Sequence, residues 1–413
     1  MGRVLMTRAA LAALALLLLA APAISEESIL EKIEKEVIAL SEKLAPSVVR
    51  VHATGPDGFG GTKKITVSGV VLDDAATIAT LGSAVSSATK VEIQTADGPR
   101  RPAKVLGVDE RFNVGILEAD PAGLVPVEMA PPHSVKVGAF AISIGNPFGL
   151  TDSVSTGIVS GLGRQVQGYT VVAGRKTTVV YYDLIQTTVL VNPGDSGGLV
   201  ADSKGRMIGM ISSSFGRSPS VERIREMIHD VARRIDLDQV QFFVDALKLT
   251  EDQKKIAELV MGRLRGYQKR LREVEPKDPI REGMTGGAPG AKLGAHGINF
   301  ALPTDQVLFT ARMVRAHGRV VKVGLTVGVP DPAVAAQTDL EEGEGLDVLT
   351  VRTDSPAGRA GLKVHDILTS FGGHPVGSTR GFRRALLLCP VKGPIEVLVL
   401  RGGVRTKLTL RFD

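Results

Sequence analysis

The stretch Asn192-Pro193-Gly194-Asp195-Ser196-Gly197-Gly198 holds the residue types most able to do covalent chemistry. A Gly-x-Ser-Gly-Gly run can turn sharply, because glycine enters backbone conformations that other residues avoid. Such a turn exposes the Ser196 hydroxyl as a nucleophile and aims the amides of Gly194 and Ser196 at one point. Paired amides of this kind stabilise a developing oxyanion. Taken alone, the run also reads as a glycine-rich turn that merely contains a serine. The chemical reading needs a proton acceptor beside the hydroxyl, since a neutral alcohol is a poor nucleophile.

The elements around this run are short and β-rich. Val48–His52, Ile65–Leu72, Val91–Thr95, Val114–Leu117, Phe140–Ile144, Val154–Val159, Val179–Leu184, Gly198–Ala201 and Met207–Ile211 read as strands separated by turn residues. Many short strands at this spacing predict a barrel or sandwich. Residues 26–45 instead repeat Leu30, Ile33, Val37, Leu40 and Leu44 at helical spacing, which fits one amphipathic helix on the domain or a short coiled coil. Residues 217–281 are charged and helical. Thr250 and Gln253 form a capping-box signal there, ahead of an apolar stripe of Ile256, Val260, Leu264, Tyr267, Leu271 and Val274. A Gly- and Ala-rich return loop follows at Thr285–Gly297, then a strand at Ile298–Leu302 and a helix at Thr304–His317. The last section reads as strands, a helix at Thr379–Leu388 and a hairpin of Ile395–Arg401 and Val404–Phe412.

Composition narrows the function classes. At 413 residues the chain exceeds one ordinary core. It has no tryptophan and 4% aromatics, so its core rests on aliphatic side chains. Fifty basic and 44 acidic residues are interspersed, which points away from a nucleic-acid site. Arg3 and Arg8 precede an apolar run, Ala9 to Ala21, and Ala21-Pro22-Ala23 fits a cleavage site. This reads as an export signal or an uncleaved anchor, with no later membrane-spanning segment. Cys389 is the single cysteine, expected as a buried residue at a helix end. No metal or cofactor motif is present in this reading.

Further motifs accompany the serine run in order: Leu44-Ala45-Pro46-Ser47-Val48-Val49, Ile144-Gly145-Asn146-Pro147-Phe148-Gly149-Leu150, Ser155-Thr156-Gly157-Ile158-Val159-Ser160, Gly163-Arg164, Ile185-Gln186-Thr187 and Gly297-Ile298-Asn299-Phe300-Ala301-Leu302-Pro303. Together they resemble the HtrA family across most of residues 44–413, with 215–296 as the main exception. The resemblance implies a mainly β chain: a trypsin-like double β-barrel with a helical insertion, followed by a PDZ domain. The expected division is 1–25 signal, 26–45 helix, 46–216 barrel domain, 217–296 insertion and return loop, 297–318 end of the protease-like domain and linker helix, and 319–413 PDZ domain. It also implies serine endopeptidase ancestry and a trimer.

The resemblance fails where the base should be. The family's Thr-x-x-His-Val stretch is matched by Thr80-Leu81-Gly82-Ser83-Ala84-Val85, so Ser83 stands at the histidine position. The stretch Val-Asp-x-x-x-Asp-Leu-Ala-Val-Leu is matched by Val108 to Leu117, so Asn113 stands at the aspartate position. Neither residue accepts a proton at neutral pH, and losing a triad's base costs about 10⁶-fold in turnover. The expectation is a pseudoprotease, with Ser196 at the nucleophile position and Gly194 as an oxyanion amide. The alternative is an active endopeptidase using Ser196 with another base, among His52, His133 and His229.

The motif Asp354-Ser355-Pro356-Ala357-Gly358-Arg359-Ala360-Gly361-Leu362-Lys363-Val364-His365-Asp366-Ile367-Leu368 resembles a PDZ core, with His365 where the family has glycine. PDZ domains add a peptide strand beside a carboxylate-binding loop. The resemblance implies Gly324, Leu325, Thr326 and Val327 as that loop, and Phe382, Ala385 and Leu386 as the facing helix wall. The implied partners are polypeptide C-termini or unfolded protein in the cell envelope.

Overall fold

A computed structural model describes residues 28–56, 61–132, 134–172, 175–214, 237, 241, 245, 250–273, 299–330 and 344–413. The expected export signal, the return loop, His133 and His229 lie outside the described residues.

Helix α1 (Ile29–Leu44) starts at a capping box, in which Ser28 and Glu31 exchange bonds with each other's backbone amides. Only its second half packs on the body. Leu40 and Leu44 are buried, whereas Leu30 and Ile33 are 77% and 51% exposed. The first barrel follows, from β1 (Val48–Pro56), β2 (Thr62–Val71), β3 (Thr77–Leu81), β4 (Lys90–Gln94), β5 (Arg101–Asp109) and β6 (Val114–Ala119). It closes in the order β1-β2-β3-β6-β5-β4. β5 was not among the expected strands; its positions are mostly half-exposed and it carries Pro102, both of which blur alternation. The short helix α2 (Gly82–Val85) follows β3 directly.

The second barrel is built from β7 (Phe140–Gly145), β8 (Ser153–Val172), β9 (Arg175–Thr187), β10 (Leu199–Ala201), β11 (Met207–Ser214) and β12 (Asn299–Pro303). It closes as β10-β11-β12-β9-β8-β7. One apolar cluster takes Val70, Ala79 and Ile116 from the first barrel and Ile142, Leu199 and Met210 from the second, and this cluster fixes the seam between the barrels.

The charged insertion joins β11 to β12 and contributes α3 (Glu251–Glu273). Its capping box forms as expected, with Thr250 N donating to Gln253 Oε1 and Gln253 N to Thr250 Oγ1. The first two residues of its apolar stripe do not pack inward. Ile256 and Val260 are 63% and 48% exposed, while Met261, off the stripe, is 3% exposed.

Helix α4 (Thr304–His317) buries two faces at once. Val307 and Val314 join the cluster at the barrel seam, and Phe309 and Met313 join the core of the last domain. That core lies under a sheet in the order β13-β14-β15-β17-β18, made of β13 (Leu325–Gly328), β14 (Leu346–Val351), β15 (Ile367–Phe371), β17 (Ile395–Arg401) and β18 (Val404–Leu410), with β16 (His374–Pro375) beside β15. Helices α5 (Pro356–Arg359) and α6 (Thr379–Leu388) are capped by the Ser355 and Ser378 side chains. The Arg401 guanidinium grips the buried Asp366 carboxylate at 2.6 and 2.7 Å. His365 takes φ 69°, the left-handed conformation in which a non-glycine residue costs about 1 kcal/mol. Cys389 is 1% exposed at the end of α6, and burial pushes its thiol up to about 11.

Candidate functional site

The serine loop sits between β9 and β10 and is held by its carbonyls. Each carbonyl from Asn192 to Ser196 accepts one bond. Asn192 O takes Asp195 N at 3.0 Å, Pro193 O takes Phe148 N at 2.9 Å and Asp195 O takes Gly198 N at 2.8 Å. Gly194 O takes the Ser68 hydroxyl at 2.9 Å, and Ser196 O takes Ser68 N at 3.0 Å. A trans peptide points its N–H opposite to the preceding carbonyl. Pinning Pro193 O and Asp195 O therefore turns the amides of Gly194 and Ser196 the other way. Among the described residues neither amide has an acceptor, so both remain free as donors.

Three glycines of the run leave no room for a side chain, and at Gly198 a Cβ would lie 2.7 Å from Ile144 O. Gly194 has φ +107°, and a Cβ there would lie 2.7 Å from Asn146 O. Gly197 has φ +87°, and a Cβ there would collide with the Ser68 carbonyl oxygen. It would also lie 3.1 Å from Leu81 N, so the serine loop abuts the end of β3, two residues before Ser83.

Ser68 organises this junction, and sequence reading missed it. It is fully buried on β2 and also accepts Asn146 N at 2.8 Å. It thus ties the Asn146–Gly149 turn of the second barrel to the serine loop. Asp195 was also passed over. It is 5% exposed; Oδ2 accepts Asn192 N at 2.7 Å, while Oδ1 has no hydrogen-bond partner. Burial raises its carboxyl above its ordinary value.

Ser83 and Asn113 are brought together, as their positions imply. Their contact is structural in type. Asn113 Oδ1 accepts the backbone amide of Ser83 at 2.6 Å, and Asn113 O accepts Gly82 N at 2.8 Å. The Asn113 side chain thereby caps the start of α2, and its φ of 56° is one that Asn tolerates better than most residues. Ser83 itself is exposed. Among the described residues, no side chain hydrogen-bonds the Ser196 hydroxyl.

His52 is engaged elsewhere. Its Nδ1 lies 3.1 Å from Thr66 Oγ1 and its Nε2 lies 3.2 Å from Gln94 Oε1 on the first barrel, with partial burial lowering its pKa. His317 contacts the Val391 carbonyl at 2.7 Å and His365 lies 3.7 Å from Asp347, both in the last domain or its approach.

The second candidate site is the edge of the last sheet. Among the described residues β13 pairs only with β14, its register including Leu325–Val351 and Thr326–Thr350, and it ends the strand order. Gly324 precedes it at φ +85°, where a Cβ would collide with the Ser355 side chain. Leu325, Val327 and Leu386 are half-buried against the core and keep apolar surface exposed beside the open edge. Phe382 lies deeper, edge-on to Phe371 at 5.3 Å, and Ala385 is buried beside it.

These two sites, on two closed barrels and one five-stranded path, correspond to two known domain types. Residues 67–210 match the trypsin-like peptidase domain, and residues 317–411 match the PDZ domain. The periplasmic serine endoprotease DegP of Escherichia coli (strain K12) is 25% identical over 366 residues, 87% of this chain and 60% of that protein. In its two domains, their order and this relative, the chain is similar to the HtrA family. A probable periplasmic serine endoprotease DegP-like of Pseudomonas savastanoi pv. phaseolicola is 25% identical over 349 residues, 83% of this chain and 54% of that protein. The chain thus spans little more than half the length of these HtrA relatives. Among solved structures, the HtrA-type protease AlgW with tripeptide superposes with TM-score 0.55 at 22% identity, covering 90% of this chain and 95% of that one. That likeness shows the shared fold. Among the described residues no helix is long and apolar enough to cross a membrane.

Proposed function

We propose that this HtrA-like protein is a proteolytically inactive, exported envelope protein that holds polypeptides through its PDZ groove in protein quality control. The observation that carries the inactive reading is the Asn113 side chain. Where catalysis needs a carboxylate orienting an imidazole, an amide oxygen caps the backbone of Ser83, 2.6 Å away. Ser196 keeps a shaped loop with two free amide donors but has no base among the described residues. Oxyanion donors and binding alone leave a small fraction of triad-level catalysis. The periplasmic names of the relatives support an exported location, and the family supports a trimer. The domain division set out from the sequence is part of the same proposal.

The binding role rests on the open edge of β13, with Gly324 at its start and Leu325, Thr326 and Val327 along it. An extended peptide added there gains main-chain bonds, and apolar side chains meet Leu386 and the half-buried face of the groove. Titration with a peptide ending in a free hydrophobic residue should show saturable binding that is lost when its C-terminus is amidated. Equal binding of both forms contradicts a carboxylate-reading groove.

A second reading is favoured by the retained loop geometry itself. In it, Ser196 is a working nucleophile whose base is His229, which lies outside the described residues. Labelling with a fluorophosphonate separates the two. No labelling of Ser196 under conditions that label an active serine protease supports the inactive reading; stoichiometric labelling lost in His229→Ala supports the second.

A further inference from the structure

A cavity of about 520 Å³ lies between the second barrel and the PDZ domain, away from both Ser196 and β13. Much of its wall is apolar, with Leu162, Ile185, Ile208, Leu308 and Leu388 lining it. Its volume falls within the roughly 300–1,000 Å³ range of small-molecule sites. Charged side chains line it as well. Arg312 from α4 and Arg380 and Arg384 from α6 line the cavity with Asp183 and Asp305, so cations exceed anions by one.

The pairing of these groups is uneven. Asp183 accepts Arg380 at 2.7 Å, and Arg384 reaches the same carboxylate only at 3.6 Å. Arg312 donates to the Leu387 carbonyl at 2.5 Å, a partner that carries no charge. An apolar chamber with unbalanced guanidinium charge fits a molecule with an apolar tail and an anionic head. Ile185, Ile208 and Leu162 come from strands β9, β11 and β8 of the closed second barrel, Met129 to Pro132 and Val135 lie outside the named strands and helices, and α4 and α6 supply most of the rest.

We propose that this cavity binds a single-chain amphiphilic carboxylate, with the tail against Ile185, Ile208 and Leu308 and the head at Arg312 and Arg384. Since barrel, α4 and α6 all line it, the ligand would bridge the protease-like and PDZ domains. The inference does not depend on whether Ser196 is catalytic or on PDZ peptide capture.

Calorimetric titration of the full chain with octanoate, decanoate and dodecanoate, each below its micellar concentration, tests it. Binding should be one-to-one and saturable, tightening by roughly fourfold per added carbon over this series, the fold-change that burying one methylene gives. Dodecanol, which lacks the charge, should bind at least tenfold more weakly. Arg312→Met and Arg384→Met should each weaken dodecanoate at least tenfold. Leu388→Trp, at a wall position 37% exposed, should block the cavity without disturbing the core. Circular dichroism and the urea unfolding midpoint, unchanged in the variants, show that they fold. The proposal is overturned by absent saturation, by equal binding of dodecanol, or by dodecanoate binding that folded Leu388→Trp leaves intact. It is also overturned if a peptide, and not dodecanoate, is displaced by Leu388→Trp.

Discussion

Where the two barrels meet, one side is over-determined and the other has been reassigned. On the second-barrel side, five consecutive carbonyls from Asn192 to Ser196 are each tied down, two of them by Ser68 reaching across from the first barrel. On the first-barrel side, Asn113 spends its side chain on the amide of Ser83, and Ser83 is exposed. The loop that shapes the nucleophile is thus also what joins the barrels. Its geometry is kept by folding stability whether or not it catalyses. The positions that would hold the base make only a local contact within the first barrel, between Asn113 and the start of α2. A preserved serine loop is therefore weak testimony for activity, and the proton acceptor is the deciding feature.

The largest effect should come from rebuilding the lost side. Ser83→His combined with Asn113→Asp should raise cleavage of an unfolded substrate by at least about 10³-fold, since a missing base costs up to about 10⁶. No gain in a folded double variant would mean that the loop is not catalytically shaped. Next, Ser68→Ala should cost roughly 2 kcal/mol in urea unfolding, because Gly194 O and Asn146 N lose a buried partner. A neutral result would break the claim that the loop doubles as the joint. Asn113→Ala should cost about 1 kcal/mol by removing the cap on α2 and straining a left-handed residue, and Asn113→Gly should cost less.

The smallest expected effect concerns Asp195. Its folded carboxyl titrates above the unfolded one because of burial. The native state therefore holds the proton more tightly, and the group's contribution to stability falls as pH rises through its folded value. Asp195→Asn should stabilise the protein by about 1 kcal/mol at pH 8, with a smaller gain at pH 4. An advantage that grows toward acid would show that the carboxylate has a cationic partner.

Much of this architecture was legible because its signals are local. Alternating Val and Ile marked most of the strands, Thr250 and Gln253 marked a helix start, and the serine and PDZ runs marked the two domains. What escaped depends on contacts between distant segments. Ser68 is an ordinary strand serine until the fold sets it against Gly194 and Asn146, in sequence 126 and 78 residues away. The orphaned oxygen of Asp195 likewise exists only in three dimensions. Periodicity identified the apolar stripe at Ile256 and Val260 but carried no information on what covers it, and in the chain alone both remain exposed. The positive φ at His365 was readable, because a glycine position in a recurrent turn carries its backbone requirement with it.

The account stands most directly on hydrolysis of an unfolded protein by the wild-type chain beside Ser196→Ala, at neutral pH and matched concentration. Equal turnover at the uncatalysed background for both is the expected result. Cleavage by the wild type that disappears in Ser196→Ala would contradict it and place a working base beside that hydroxyl.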